Sequence, residues 1–364
     1  MANNPKSLYI HIPFCEHICK YCDFTKLFYF SQFEKPYLEA LKKEISFKVK
    51  NIIFTLYFGG GTPTALSDEG FEDILKFASQ YLESDYEFTV EANVENLTEN
   101  KLDIMKRCGV NRLSIGVQST CNKLLKEIGR HHTFEDTQKI IKLAKSKGFN
   151  NINIDLIYGF KNESLNDLKK DLKEFIKLDI DHISIYSLIV EKGSMFYNQD
   201  YKTQNEEDSR KYYEFIVDFL RKHGYERYEI SNFARNGKYS RHNLTYWHNK
   251  EYYGCGLGAS GYVSGVRYDN TKSLPEYLKG NYISSSEKID QNEFEEFYLI
   301  TNLRLEEGFL KSDYKEKFGI DFEQKFESKI KQFNLDKYFN NNSERIKLSD
   351  EGLIMMDFVI LKLM

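Results

Sequence analysis

Short apolar runs that alternate with longer amphipathic ones predict an α/β protein, a parallel sheet covered by helices. Three observations carry this. The alternation repeats six times in about 220 residues. The short runs are near-continuous in apolar residues, as expected when both faces of a sheet are covered. The chemically distinctive residues fall at the ends of those runs, where α/β folds collect ligands.

The elements follow in order. "SLYIHI" (Ser7–Ile12) is the first strand and "FEKPYLEALKKEISF" its helix. "IIFTLYFGGG" is a strand running into glycines, followed by the helix "DEGFEDILKFASQYL". "YEFTVEAN" is a strand and "TENKLDIMKRCG" a helix ending at a glycine. "NRLSIGVQS", "NINIDLIYGF" and "HISIYSLIV" complete the strands, with "TFEDTQKIIKLAKSKGF", "SLNDLKKDLKEFIKL" and "EEDSRKYYEFIVDFLRKHG" as their helices. Periodicity does not say whether such a sheet stays open or curls into a barrel. From Asn232 the chain becomes rich in Gly, Asn, Tyr and Arg, and its last part is helical, with a short hairpin near "ERIKLSDEG". The expected organisation is a core over residues 1–231, a loop-rich extension over 232–290 and a small, mainly helical, winged-helix-like domain over 291–364.

With 41% apolar and 29% charged residues the chain reads as globular. A net charge of −4 and no long basic run argue against nucleic acid as a partner. The start, "MANNPKSLYIHIPF", lacks the basic and apolar regions of a secretory signal. No apolar run reaches the roughly 18 residues of a membrane span. The expected location is cytoplasmic, where six cysteines are unsuited to structural disulfides. Cys108, Cys121 and Cys255 are scattered, while Cys15, Cys19 and Cys22 cluster in "CEHICKYC", directly after the first strand.

Three thiolates in one loop suit an iron–sulfur cubane, which takes one protein ligand per iron and here would leave one iron open to an exogenous ligand. A zinc site closed by His17 is the competing reading. It would need one short loop to wrap four ligands round a single ion, whereas zinc sites usually draw two pairs from separate places. His11, inside the strand, reads as a core or barrel-wall residue.

"YIHIPFCEHICKYCDF" resembles the signature of the radical S-adenosylmethionine (SAM) superfamily, CX3CX2C with an aromatic residue before the last cysteine. The resemblance implies a partial (β/α)6 barrel and a [4Fe-4S] cluster on Cys15, Cys19 and Cys22. It also implies SAM as cosubstrate, its methionine moiety chelating the fourth iron and its sulfonium cleaved by one electron to a 5′-deoxyadenosyl radical. Other motifs follow in order. "FGGGTPT" resembles the glycine motif that lies against the methionine amino group and brings in Gly60, Gly61 and Thr62; glycines at a strand end let backbone approach a ligand closely. Glu91 matches the carboxylate placed on the ribose hydroxyls. Tyr9, Gln118, Arg130 and Asp155 match further cosubstrate contacts, and Phe24 is grouped with them.

Within the superfamily the chain is most similar to the group holding oxygen-independent coproporphyrinogen III oxidase and the HemW-type heme chaperones, through "GVNRLSIGVQS", "NIDLIYG" and "YEISNFAR". The oxidase signature carries another cysteine two residues after the third, where this chain has Phe24. The oxidase also has an N-terminal extension, whereas here strand one begins a few residues from the start. Both features resemble the chaperone branch. "HNLTYW" (His242–Trp247) fits that branch's HNxxYW motif, which the resemblance associates with heme. Heme contact is expected at His242, Asn243, Tyr246 and Trp247, with His248 as an adjacent substitute for His242 as iron ligand.

Val94 stands where relatives usually have proline, "YGFKNES" replaces a leucine-proline-glycine run, and Ser260 stands where many place histidine. The resemblance implies heme, acceptor hemoproteins such as respiratory enzymes and a reductant protein as partners. The cluster's role stays open between gating transfer and driving a transient homodimer. The alternative activity is oxidative decarboxylation of coproporphyrinogen III, for which Arg112, Arg241 and Arg267 are available to bind substrate carboxylates. A third reading, a plain electron-transfer iron–sulfur protein, wants a fourth thiolate that the sequence does not place nearby.

Overall fold

Six parallel strands, hydrogen-bonded in chain order, make the centre of the computed structural model, which describes residues 5–364. They are β1 (Ser7–Ile12), β2 (Ile53–Gly60), β3 (Leu82–Asn93), β4 (Arg112–Gln118), β5 (Ile152–Tyr158) and β6 (His182–Ser187). Helices α1 (Ser31–Lys48), α2 (Asp68–Ser79), α3 (Glu99–Arg107), α4 (Phe134–Ser146), α5 (Leu165–Lys177) and α6 (Glu206–Lys222) follow the strands in turn. Several starts are locally encoded. Ser67 and Thr98 cap α2 and α3, and Thr133/Asp136 and Ser164/Asp167 form reciprocal capping boxes on α4 and α5.

The sheet continues past its sequence-predicted edges. β7 (Glu226–Glu229) and β8 (Asn232–Ala234) form an antiparallel hairpin on β6, and β9 (Tyr253–Cys255) adds in parallel to β1 at the other edge. The order is β9-β1-β2-β3-β4-β5-β6-β8-β7, and among the described residues no pairing joins the two edges. The expected partial barrel is therefore present as an open one.

The strands are not the continuous apolar runs that the sequence suggested. Leu8, Ile10, Ile12, Leu56, Phe58, Phe88, Val90, Leu113, Ile115, Ile154, Leu156, Ile183 and Ile185 form the core under the helices. The alternate positions include Thr55, Glu87, Thr89, Arg112, Ser114, Asn153, His182 and Ser184, and these are also buried. Period-two alternation puts the two sets on opposite faces. The polar set faces the lumen of the curved sheet and pairs within itself: Asn153 Nδ2 donates to Ser114 Oγ (2.8 Å), and His182 bridges Asn153 (2.6 Å) and Tyr228 (2.8 Å).

Beyond residue 232 the chain shares this core through Phe233, Tyr253, Cys255, Leu257 and Tyr277. The short helix α7 (Arg241–Trp247) carries HNxxYW, and β10 (Ser260–Val263), β11 (Val266–Asn270) and β12 (Ile283–Lys288) make a separate antiparallel sheet. From α8 (Gln291–Asn302) onward a second apolar core gathers Leu299, Tyr314, Phe322, Val359 and Leu363. This helical region holds one two-stranded ribbon, Phe309–Leu310 with Arg345–Ile346. Arg227 joins it to the central sheet through Glu306 and Asp350. Among the described residues no helix is long and apolar enough to cross a membrane.

Candidate functional site

Cys15 ends a two-residue strand directly after β1 and is buried; Cys19 and Cys22 lie in the loop that follows. Backbone hydrogen bonds hold the loop at its start and between Cys19 and Cys22, from Tyr29 to the Cys15 carbonyl (2.9 Å) and from Lys20 to the Ile128 carbonyl (3.0 Å). Two side chains donate to sulfur: Thr62 Oγ1 to Cys15 (3.6 Å) and Arg130 Nη1 to Cys19 (3.5 Å). Asn93 links the two donors, giving its amide N–H to Thr62 (2.9 Å) and accepting from Arg130 (2.8 Å). Sequence reasoning missed Asn93, although its place two residues after Glu91 puts it on the same strand face.

Burial raises the Cys15 thiol to about 11; the Thr62 hydrogen bond opposes this, while the Cys22 and Cys19 thiols add to it. A bound cation is what would make these three sulfurs thiolates together. Among the described residues no three His, Cys, Asp or Glu groups are gathered to hold a single metal ion. A cubane bonds each thiolate to a different iron, so it does not require one point of convergence. His17 is stacked on His131, ring centroids 3.8 Å apart, which occupies its ring. The donors to sulfur and the shared loop fit a [4Fe-4S] cluster.

The residues matched to SAM line the lumen next to this loop. Glu91 accepts from Tyr57 OH (2.7 Å) and from the Gly60 N–H (3.1 Å). A Cβ on Gly59 would meet the Glu91 carboxylate at 2.8 Å, and one on Gly60, at φ +113°, would meet the His11 ring at 2.6 Å. The glycines are thus required by close packing here. Gly61 donates to the Ile12 carbonyl (2.8 Å), tying β2 to the start of the cysteine loop. Gln118 is buried and turns the chain out of β4 at φ +72°. Asp155 accepts from Asn153 (2.8 Å), and Arg130 also donates to the Gly116 carbonyl (2.6 Å). Tyr9 OH donates to His11 Nδ1 (3.0 Å), because Nε2 of that ring donates to the Thr25 carbonyl (2.7 Å).

Burial lifts Glu91 to about 7; the Tyr57 hydrogen bond opposes the rise and Asp155 adds to it. Asp155 is also raised, mainly by burial. Arg112 is buried at the start of β4 with its Nε unpartnered, and its positive field lowers both carboxyls. Arg241 pairs with Asp85, and Arg267 lies over Phe297. The three arginines considered for substrate carboxylates therefore sit in three different places.

HNxxYW lies at the floor of the lumen, where the strands begin. Glu87 accepts the Arg241 and His242 backbone N–H groups (2.9 and 3.0 Å) and docks α7 there. The His242 ring is buried, with Nδ1 at Thr55 Oγ1 (2.8 Å) and Nε2 at Tyr246 OH (2.8 Å). Thr55 donates onward to Ser7, so Nδ1 carries the proton and Nε2 accepts from Tyr246. Bonding iron would require Nε2 to give up Tyr246. Asn243 is half-buried and donates its N–H to Ser240 Oγ (3.3 Å). Trp247 is not among the residues lining the cleft described below, and its ring lies under the Arg304 guanidinium (4.5 Å). His248 stands beside it with 30% of its side chain exposed, 4.0 Å from Glu307.

A cleft of about 770 Å³ opens between the cosubstrate residues and the extension. Tyr9, His11 and Phe24 line one side, and Tyr246, Tyr252 and Lys272 the other. Ser260 lines it too, its hydroxyl donating to Asp269 (2.5 Å).

The family model "Radical SAM superfamily" matches residues 9–175, and "HemN C-terminal domain" matches 290–355. "Heme chaperone HemW" of Lactococcus lactis subsp. lactis (strain IL1403) is 38% identical over 97% of this chain and 95% of its own. The protein of that name from Bacillus subtilis (strain 168) is 38% identical over 96% of this chain and 97% of its own. The chain belongs to the HemW branch of the radical SAM superfamily. Coproporphyrinogen III oxidase (HemN) from Escherichia coli shares the fold of this HemW-branch chain, with a TM-score of 0.87 at 21% identity, covering 99% of this chain and 90% of that one.

Proposed function

We propose that this radical SAM protein is a heme chaperone, holding heme beside a cluster and SAM site and passing it to hemoproteins. One observation of geometry carries the reading: the cleft that opens onto Tyr9, His11 and Phe24 also reaches Tyr246 of HNxxYW. Flat aromatic faces and a lysine on one wall suit a macrocycle with anionic side chains. The similarity to proteins named heme chaperones over nearly the whole chain supports the same reading.

When bound, the cluster supplies one-electron chemistry. The chain's part is to hold it through Cys15, Cys19 and Cys22, to seat SAM against Gly60, Gly61, Thr62, Glu91, Gln118, Arg130 and Asp155, and to offer heme the wall formed by Tyr246 and Tyr252. His242 is engaged in the floor, and His248 lies against Glu307 and not among the residues that line the cleft, so neither imidazole stands free on the proposed heme wall. The reading carries a cytoplasmic location, a reductant protein, acceptor hemoproteins and a transient homodimer.

The test is anaerobic reconstitution followed by separate titrations with heme and coproporphyrinogen III. The chaperone reading expects a heme absorption band and no vinyl product. Turnover of the porphyrinogen would put the oxidase reading in its place.

A further inference from the structure

The HNxxYW motif is built into the cosubstrate pocket from beneath. The His242 ring lies on the Tyr57 ring, centroids 5.0 Å apart and planes 29° from parallel. The Tyr57 hydroxyl in turn donates to Glu91 at 2.7 Å. On the other side, Tyr246 OH closes on His242 Nε2 at 2.8 Å, edge-on to the same ring. A directed chain fixes this geometry: Tyr246 donates to His242, His242 to Thr55, Thr55 to Ser7, Ser7 to Thr245, and Thr245 to the Arg241 carbonyl. The last acceptor has no proton to give, so every hydroxyl in the chain has one orientation.

We propose that His242 is a positioning residue for SAM: held by Tyr246 and Thr55, it backs Tyr57 and so fixes the carboxylate of Glu91 that receives the ribose hydroxyls. In this assignment HNxxYW is a floor plate for the cosubstrate, and its histidine is not the iron ligand. A stacked ring at this distance leaves the Tyr57 phenol one resting place, and a hydrogen bond to a buried carboxylate is sensitive to the placing of its donor. The groups facing Glu91 from the surrounding elements are Tyr9, Tyr57, Arg112, Asp155, Tyr186 and Tyr246. Among them, Tyr57 makes the hydrogen bond that favours the charged carboxylate.

The inference rests on the SAM assignment and not on the heme assignment, and one set of measurements separates them. Reconstituted wild type and the variants His242→Ala, Tyr57→Phe and Tyr246→Phe are titrated with SAM between pH 6 and 8. Binding is followed by calorimetry and by the EPR spectrum of the reduced cluster, and each protein is titrated separately with heme. The two phenylalanine variants lose only a hydroxyl, so they keep the test valid if His242→Ala fails to fold. The expected result is SAM binding about tenfold weaker in His242→Ala and Tyr57→Phe, with a smaller loss in Tyr246→Phe. The pH midpoint of binding should move upward in both His242→Ala and Tyr57→Phe, which a general loosening of the floor would not produce, and heme absorption should stay unchanged in those two variants. SAM affinity and midpoint equal to wild type in all three variants would overturn the proposal. So would loss of the heme band in His242→Ala with SAM binding intact. A wild-type protein indifferent to SAM would remove the cosubstrate assignment and this inference with it, whatever heme does.

Discussion

The Glu91 carboxylate and the Gly59 backbone are packed so closely that a single added methyl at Gly59 would lie 2.8 Å from a carboxylate oxygen. The pocket therefore has little slack, and the chemistry of Glu91 is set by burial.

Burial raises Glu91 to about 7 from its ordinary 4.5. A carboxyl raised in the folded state contributes stability that is fully present below 4.5 and lost as pH rises through 7. Without SAM, Glu91→Gln should remove about 3 kcal/mol of that pH-dependent loss, read as a flatter urea-midpoint profile between pH 4.5 and 7. SAM binding should run the other way. With Glu91 in its proposed place on the ribose, the charged carboxylate is the form that would accept from the hydroxyls, so affinity should rise with pH through about 7 in wild type and stay flat in Glu91→Gln.

Replacing Cys19 by serine should abolish the cluster while leaving the sheet intact, because the loop is tied by its backbone and the core lies below it. Iron and acid-labile sulfide analysis should fall to background, with far-ultraviolet circular dichroism unchanged. Stoichiometric zinc in the wild type would contradict the cubane.

Glu44, fully buried on α1, receives the Gly256 N–H (2.8 Å), Asn270 Nδ2 (2.6 Å) and Tyr277 OH (2.5 Å) and pairs with Lys48 (2.6 Å). Three ties from the extension meet on this one carboxylate. Glu44→Ala leaves Lys48 buried and uncompensated, and should cost about 3–5 kcal/mol in chemical denaturation. Amide exchange should speed up first at Gly256 and around β11.

Arg304 lies on Trp247 and donates to buried Glu229 (2.5 Å) and to Ser231 (2.7 Å). Trp247 is the only tryptophan in the chain, so its emission reports this joint between motif, sheet and C-terminal region. Arg304→Met should shift that emission to the red and lower stability by about 3 kcal/mol or more, because Glu229 is left charged without its partner. An unchanged spectrum would show that Trp247 takes its environment from other contacts.

Much of this was legible along the chain. Strand and helix order follows from local periodicity, which needs no knowledge of the distant chain. Cys15, Cys19 and Cys22 announce themselves by spacing within one loop, and Glu91, Gln118 and Asp155 by lying near strand ends. Asn93 and Tyr57 were legible in principle, since each is two positions from a marked residue or glycine on the same strand face. The apolar reading of the strands hid them, because buried polar and buried apolar residues alternate there and only the second kind looks like core.

What the chain by itself determined is therefore the set of elements and the cysteine loop, both products of neighbours within a few residues. Folding in three dimensions decided where HNxxYW goes. His242 meets Thr55 across 187 positions of sequence, and no local pattern records a contact of that span. It also decided that β8 and β9 extend the sheet, since strands of three residues carry too little periodicity to declare themselves and are held by the partners they find.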